Sequence, residues 1–284
     1  MDMVQLIECP RDAMQGLKHF IPTVEKIKFL NLLLEVGFDT LDFGSFVSPK
    51  AIPQMADTAE IVPFLNKGAT KLLAIVANYK GAVQAASFEN IDFIGFPFSL
   101  SETFQIRNTH ATLNEAFERV VEIQSLCEES GKKLVLYLSM GFGNPYNDPW
   151  SLLIIDYWLN RMIPLGIDTV QLSDTIGIAT PDKISMVFEF ATAKYPDLQL
   201  GVHLHTRPDE WQGKMEAAFN SGCRKFDGAL LGFGGCPMAK DELVGNMPME
   251  NMVQYIEQVT NRILLNKTKL NEALDMAKKL YLSK

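Results

Sequence analysis

Eight short runs rich in β-branched and apolar residues, each followed by a longer stretch with helical spacing, predict eight repeated βα units. Neither a Pro/Gly/Ser-rich linker nor a shift of composition divides them. These two observations predict one closed (β/α)8 TIM barrel over residues 1–284, with a helical extension at its C-terminal end, in preference to an open doubly wound sheet.

The strands are read in order at 4–9, 40–46, 71–77, 91–98, 133–140, 169–174, 199–206 and 225–232. Helices are read at 24–36, 113–130, 149–165, 181–193, 209–220 and 249–264, with a fainter helical pattern at 53–67 and 80–88. Start signals support two of them: Thr180-Pro181 and Asn147-Asp148-Pro149 each set a proline at a first helical position after a capping side chain. Gly37, Gly131, Gly166 and Gly222 stand just past helical stretches, where a left-handed residue closes the helix before the next strand.

Composition narrows the function classes. With 47% hydrophobic and 21% charged residues, the 284-residue chain has apolar surface enough for a sizeable core. A net charge of -8, with no Lys/Arg stripe, repels phosphate backbones and anionic lipid and excludes nucleic acid as a partner. No apolar run reaches the roughly 18 residues of a membrane span, and Met1 leads directly into strand-like sequence with no presequence pattern. Cys9, Cys127, Cys223 and Cys236 have no CxxC spacing, which suits a reducing compartment. The expectation is a soluble, cytoplasmic protein.

In a barrel of this kind, function gathers at the C-terminal ends of strands and in the loops after them. Arg11 and Asp12 follow strand one, Asp42 ends strand two, Ser139 strand five and Asp174 strand six; Cys236 and Asn246 lie in the glycine-rich stretch after strand eight. The sharpest local signal is Gly201-Val202-His203-Leu204-His205. Residues two apart on a strand share a face, so both imidazoles reach one point in the barrel mouth. The bland alternative is a pair of hydrogen-bonded structural histidines; His19 and His110 are read as surface residues. Asp12 adds a carboxylate oxygen. A mixed set of carboxylate, imidazole and amide oxygen suits Mg2+ or Mn2+, with catalytic Zn2+ as the alternative. Arg11, read otherwise as a surface ion pair with Asp12, is placed to clamp an oxyanion or carboxylate. Gly232-Phe233-Gly234-Gly235-Cys236-Pro237 reads as a loop able to cover the barrel mouth, with Cys236 placed to give or take a proton. The Met-rich stretch of Met238, Met247, Met249 and Met252 reads as subunit interface or helix core, which leaves a homo-oligomer open.

At these residues the chain resembles the 3-hydroxy-3-methylglutaryl-CoA lyase family of metal-dependent barrel lyases, over nearly its whole length. The resemblance is carried by Pro10-Arg11-Asp12-Ala13-Met14-Gln15, Ser45-Phe46-Val47-Ser48-Pro49-Lys50 with Pro53-Gln54-Met55, and Ser101-Glu102-Thr103-Phe104. Asp174-Thr175-Ile176-Gly177, the His-x-His, Gly234-Gly235-Cys236-Pro237 and Gly245-Asn246 complete it. It implies metal ligation by Asp12, His203, His205 and Asn246, with Arg11 stabilising an enolate and Cys236 protonating it. Asp42 would orient Arg11, Asp174 or His203 would act as base, and Ser139, Asn144 and Gly235 would contact an acyl-CoA thioester substrate. The implied reaction is a retro-Claisen cleavage to acetyl-CoA and acetoacetate, as in leucine degradation. The chain departs from the family pattern at Asp42, where Glu is usual, at Thr206 for Asp, at Ala13 for Gly, and at Asn144-Pro145 for Cys-Pro. These departures keep two alternatives in view: a lyase or Claisen-type synthase for a related hydroxyacyl-CoA, and a non-catalytic acyl-CoA-binding paralogue.

Overall fold

A computed structural model describes residues 3–235, 244–262 and 265–282. Its parallel strands are β1 Gln5–Glu8, β2 Thr40–Ser45, β3 Lys71–Ile75, β4 Phe93–Ser99, β5 Lys133–Ser139, β6 Thr169–Asp174, β7 Gln199–Thr206 and β8 Lys225–Gly228. Every strand pairs with the next in sequence, and β8 returns to β1. The sheet is therefore a closed eight-stranded barrel ringed by helices, as the alternation predicts. β2 and β6 are buried at every position, as parallel strands covered on both faces must be.

Local chemistry explains where the helices begin and end. Thr112 and Glu115 form a reciprocal capping box at the start of Leu113–Ser130, and Gly131 closes that helix at φ 67°. Thr180 accepts a hydrogen bond from the Lys183 amide at the start of Pro181–Lys194. Gly37, Gly166 and Gly222 all adopt the left-handed conformation expected of them. The start read at Asn147-Asp148-Pro149 does not hold: that helix runs Leu152–Met162 after Ser151. Asp148 instead serves another helix, Glu102–Thr109, accepting from Ser101 Oγ at 2.5 Å, Thr103 N at 2.9 Å and Thr103 Oγ1 at 2.9 Å. A carboxylate at a helix start is favoured by the free amides there whichever part of the chain supplies it.

Three elements went unread in the sequence: Glu102–Thr109, the short helix Pro10–Gln15 that carries Arg11 and Asp12, and the two-residue strand β9, Gly245–Asn246. β9 lies antiparallel to β7, pairing Asn246 with His205 and Gly245 with Thr206. The strand read at 225–232 stops at Gly228 and gives way to a tight turn at Leu230–Gly232. The C-terminal helix Lys267–Leu282 packs on Thr23–Val36. Met247, Met249 and Met252 are buried within the chain, while Met238 lies outside the described residues.

Apolar burial forms two cores. The large one fills the space between barrel and helices. A small one, Leu73, Val135 and Tyr137 with Ile75 and Phe93 against it, plugs the inside of the barrel. The buried polar cluster of Asp12, His203 and His205 lies at the end of the barrel above that plug. No helix among the described residues is long and apolar enough to cross a membrane.

Candidate metal centre

The alternation of β7 turns His203 and His205 to the same face, and the helix that follows β1 brings Asp12 to meet them. One ligand atom from each of the three lies within 4.8 Å of the others. Asn246 joins because β9 pairs it directly with His205; its Nδ2 donates to Asp12 Oδ2 at 2.6 Å and to the Phe233 carbonyl at 2.9 Å. All four side chains are buried.

Each imidazole is fixed from behind. His203 Nδ1 meets Asp227 Oδ2 at 3.1 Å and His205 Nδ1 meets the Thr175 carbonyl at 2.9 Å. An acceptor at Nδ1 selects the tautomer with a hydrogen there and leaves Nε2 as a lone pair, which is the arrangement of metal-binding histidines. His205 Nε2 and Asn246 Oδ1 are both buried without a hydrogen-bond partner among the described residues. Two orphaned acceptors beside a carboxylate are costly unless a cation completes them. The residues present therefore fit a divalent ion.

The surrounding charges suit that purpose. Burial alone would raise the Asp12 carboxyl, but Arg11, His203, His205 and the Asn246 hydrogen bond hold it well below the usual carboxylate range. Burial pushes the Asp42 carboxyl up to about 6 against the pull of Arg11. Burial and the His203 charge lower His205, whereas Asp227 and Asp12 raise His203 against burial. Arg11 is held as a fork: Nε and Nη2 donate to Asp42, the latter at 2.5 Å, while Nη1 donates to Asp12 Oδ1 at 2.9 Å and Gln15 Oε1 at 3.0 Å. A β-bulge between Asp42 and Gly44 shifts the register of β2 against β3 at this point. Bulges commonly re-aim a side chain beside a site.

The glycine-rich stretch touches the same cluster. Gly235 N lies 3.4 Å from Asp12 Oδ2. A Cβ on Gly234, at φ +119°, would fall 2.2 Å from Asn246 Nδ2 and 2.8 Å from Asp12 Oδ2, so only glycine fits. Cys236 lies outside the described residues.

Other expected residues stand further from the ligands' own contacts. Asp174 ends β6, but Oδ1 accepts from the Ile178 amide, and Oδ2 from the Ala179 amide and Lys214 Nζ. Asn144 closes its own loop, accepting from the amides of Tyr146 and Asp148 and donating to the Asp148 carbonyl. Ser139 is buried at the end of β5. His110 is exposed and His19 half-buried, away from the cluster. Cys9, Cys127 and Cys223 are buried free thiols, as expected. Sequence reasoning gave no role to Asp227, Thr175, Gln15 or Lys214, although Gln15 and Thr175 stand within the stretches that carry the resemblance. Asp227 carried a signal, as a carboxylate near the end of an apolar strand; the other three resemble ordinary loop or helix residues. A cavity of about 580 Å³ opens at the opposite end of the barrel, lined by strand-initial residues such as Gln5, Thr40, Lys71 and Lys225. That face ordinarily serves stability rather than chemistry.

Comparison with known proteins points to one family. The HMGL-like family model matches residues 4–278. The mitochondrial hydroxymethylglutaryl-CoA lyase of Bos taurus is 30% identical over 95% of this chain and 83% of its own. The 3-hydroxy-3-isohexenylglutaryl-CoA/hydroxy-methylglutaryl-CoA lyase of Pseudomonas aeruginosa is 29% identical over 96% of this chain and 88% of its own. Among solved structures, the HMG-CoA lyase of Bacillus subtilis superimposes with a TM-score of 0.93 at 27% identity, covering 100% of this chain and 95% of that one. An HMG-CoA lyase from Acinetobacter baumannii, in complex with coenzyme A and 3-methylmalate, gives 0.91 at 28% identity, covering 99% and 92%. Since the family match spans nearly every residue from which the barrel and its ligand cluster are built, the chain belongs to the HMGL-like family and is a carbon–carbon lyase.

Proposed function

We propose that the protein is a divalent-cation-dependent lyase that cleaves 3-hydroxy-3-methylglutaryl-CoA to acetyl-CoA and acetoacetate. The observation that carries this reading is the pair of buried, unpartnered acceptors, His205 Nε2 and Asn246 Oδ1, beside Asp12. Asp12, His203, His205 and Asn246 would hold Mg2+ or Mn2+, with Zn2+ as the alternative. Bound there, the ion supplies Lewis acidity to the substrate's hydroxyl and carboxylate oxygens.

The chain's own residues provide the rest. The C3 hydroxyl loses its proton, the C2–C3 bond breaks, and the electron pair passes to the departing thioester as an enolate. Asp174 and His203 are the two candidates for the base: both oxygens of Asp174 accept hydrogen bonds, and His203 has Nδ1 turned to Asp227 and Nε2 assigned to the cation, so either would take the proton only by giving up a partner. Arg11 directs one hydrogen from Nε, two from Nη1 and one from Nη2 at its neighbours. Of the five N–H groups of a guanidinium, one on Nη2 remains for the enolate oxygen. Asp42 holds that fork in place. Cys236 returns the proton to C2, a role resting on the sequence resemblance, and Ser139 on the barrel wall contacts the acyl chain. Asn144 and Gly235 act in this reading through the backbone they shape.

The departure at Asp42 and the wider substrate named for the Pseudomonas aeruginosa relative favour, as a second reading, a longer substituent at C3. One experiment tests both. Metal-stripped protein is incubated with a panel of 3-hydroxy-3-alkylglutaryl-CoA thioesters, with and without Mn2+, and products are followed by mass. Acetoacetate from the methyl substrate, appearing only with added ion, is the expected result; no cleavage of any thioester with Mg2+, Mn2+ or Zn2+ would sink the reading. Cys236→Ser is expected to lose on the order of 10²-fold in turnover with Mn2+ affinity unchanged, the usual loss for a positioned acid.

A further inference from the structure

Behind His205 lies a buried lysine that the ligand set does not include. Lys214 sits on the helix Trp211–Asn220, and its side chain is 3% exposed. An ammonium has three hydrogens, and Lys214 Nζ directs them to Asp174 Oδ2 at 3.0 Å, the Gly177 carbonyl at 2.9 Å and the His205 carbonyl at 2.7 Å. It is thereby saturated by one charge and two carbonyls.

Those acceptors belong to the two pieces of chain that meet at the His205 ring. One is the backbone of His205 itself. The other is the turn after β6, closed by Asp174 on the amides of Ile178 and Ala179, and by the Gly177 amide on the Asp174 carbonyl. That turn carries Thr175, whose carbonyl faces His205 Nδ1 at 2.9 Å. If the turn moved relative to β7, the acceptor that selects the His205 tautomer would move with it. Lys214 spans the two and fixes their separation.

We propose that Lys214 is a positioning residue for the metal centre: by tying the His205 carbonyl to the Asp174–Ala179 turn, it holds the imidazole with Nε2 turned to the cation. The proposal rests on the metal reading above and deepens it. It treats Lys214 and Asp174 as one device, although Asp174 entered as a candidate base. Outer partners that fix a ligating histidine typically change metal affinity by about 10- to 100-fold when removed.

Two variants separate positioning from simple folding. Lys214→Met keeps the length of the side chain but leaves Asp174 buried and uncompensated, which can itself unfold a protein. The double variant Lys214→Met/Asp174→Asn removes both charges. Metal-stripped full-length proteins are titrated with Mn2+ by electron paramagnetic resonance, alongside thermal melts. The expected result is a folded double variant whose Mn2+ dissociation constant rises about 10- to 100-fold over the parent. A folded double variant that binds Mn2+ within twofold of the parent overturns the proposal. A parent that binds no Mn2+ overturns the metal reading instead. Independently of folding of the variants, ¹⁵N-histidine spectra of the metal-free parent, which has four histidines, report the tautomer. A His205 signal with hydrogen on Nδ1 supports the proposal, and one with hydrogen on Nε2 overturns it.

Discussion

Asp227 offers the sharpest test of the proposed metal centre, because it touches His203 without belonging to the proposed ligand set. Its Oδ2 faces His203 Nδ1 at 3.1 Å, its Oδ1 accepts from Gln171 Nε2 at 2.6 Å, and the carboxyl is fully buried. Asp227→Asn keeps the shape but offers one acceptor and one donor where the structure uses two acceptors. Gln171 can absorb the change, since its Oε1 has no partner among the described residues and its amide can turn over in place. The fold should therefore survive with little loss. What disappears is the charge behind His203. A hydrogen bond to a charged acceptor contributes about 1.5–3 kcal/mol and a neutral one about 0.5–1.5, so the loss is roughly 1–1.5 kcal/mol, near tenfold in Mn2+ affinity. Asp227→Leu removes the acceptor altogether, frees the tautomer, and should weaken binding by at least tenfold more. Mn2+ titration of the metal-stripped proteins by electron paramagnetic resonance, with melts to show that each is folded, measures both. Two folded variants that bind as the parent does would refute the claim that Asp227 sets up His203.

Three further outcomes are expected. Gly201→Ala places a Cβ 1.9 Å from Gln171 Oε1 and 2.8 Å from the Lys225 carbonyl, inside a closed barrel; overpacking of this kind costs about 1–3 kcal/mol, and an unchanged melting temperature would contradict it. Asp148→Ala removes the acceptor for Ser101 and Thr103 and should cost about 1–2 kcal/mol at neutral pH in urea titrations. Burial opposes ionisation of Asp148, but those hydrogen bonds outweigh it and lower its pKa; the stabilisation is present above the ordinary carboxyl value and is lost as pH falls below it, so the two stability curves should converge in acid. Burial raises the Cys223 thiol to about 12, against an ordinary value of about 8.5. Its contribution is complete below that ordinary value and is lost as pH climbs toward 12, up to roughly 5 kcal/mol. Cys223→Ala should then show a flatter alkaline limb in urea midpoints against pH, and parallel limbs would dismiss the thiol as the cause.

The barrel was legible because its signal is periodic and local. β6 and β7 run from the residues the sequence marks to the residues it marks, 169–174 and 199–206, since Val170 and Leu172, and Leu200, Val202 and Leu204, recur at the two-residue period of a strand. The His203/His205 pair was legible for the same reason, as a period of two survives whatever the tertiary context. Asp148 shows the limit. Read locally, it caps the helix that follows it; in the fold it caps one whose Thr103 amide lies 45 residues earlier. Nothing in a sequence window distinguishes those two uses, because the cap's own chemistry is the same in both.

The proposed metal centre was legible in its candidate ligands and illegible in its supports, and the division has a physical cause. A ligand must be histidine, carboxylate or amide, so its residue type survives as a signal even where its element is a two-residue strand such as β9. Asn246 reached the proposed ligand set by resemblance, and its geometry depends on a pairing with His205, 41 positions earlier in the chain. A support has no such restriction. Thr175 acts through its carbonyl, which every residue possesses, and Lys214 looks like a solvated lysine on an amphipathic helix until its ammonium is found 2.7 Å from the carbonyl of a ligand. Asp227 and Lys214 thus follow from the fold and not from any motif, and the role of Thr175, though it stands in a quoted stretch, follows from its backbone alone. If the reading is sound, substitutions at Asp227 and Lys214 should alter metal affinity while leaving the four proposed ligands, and the sequence signature, intact.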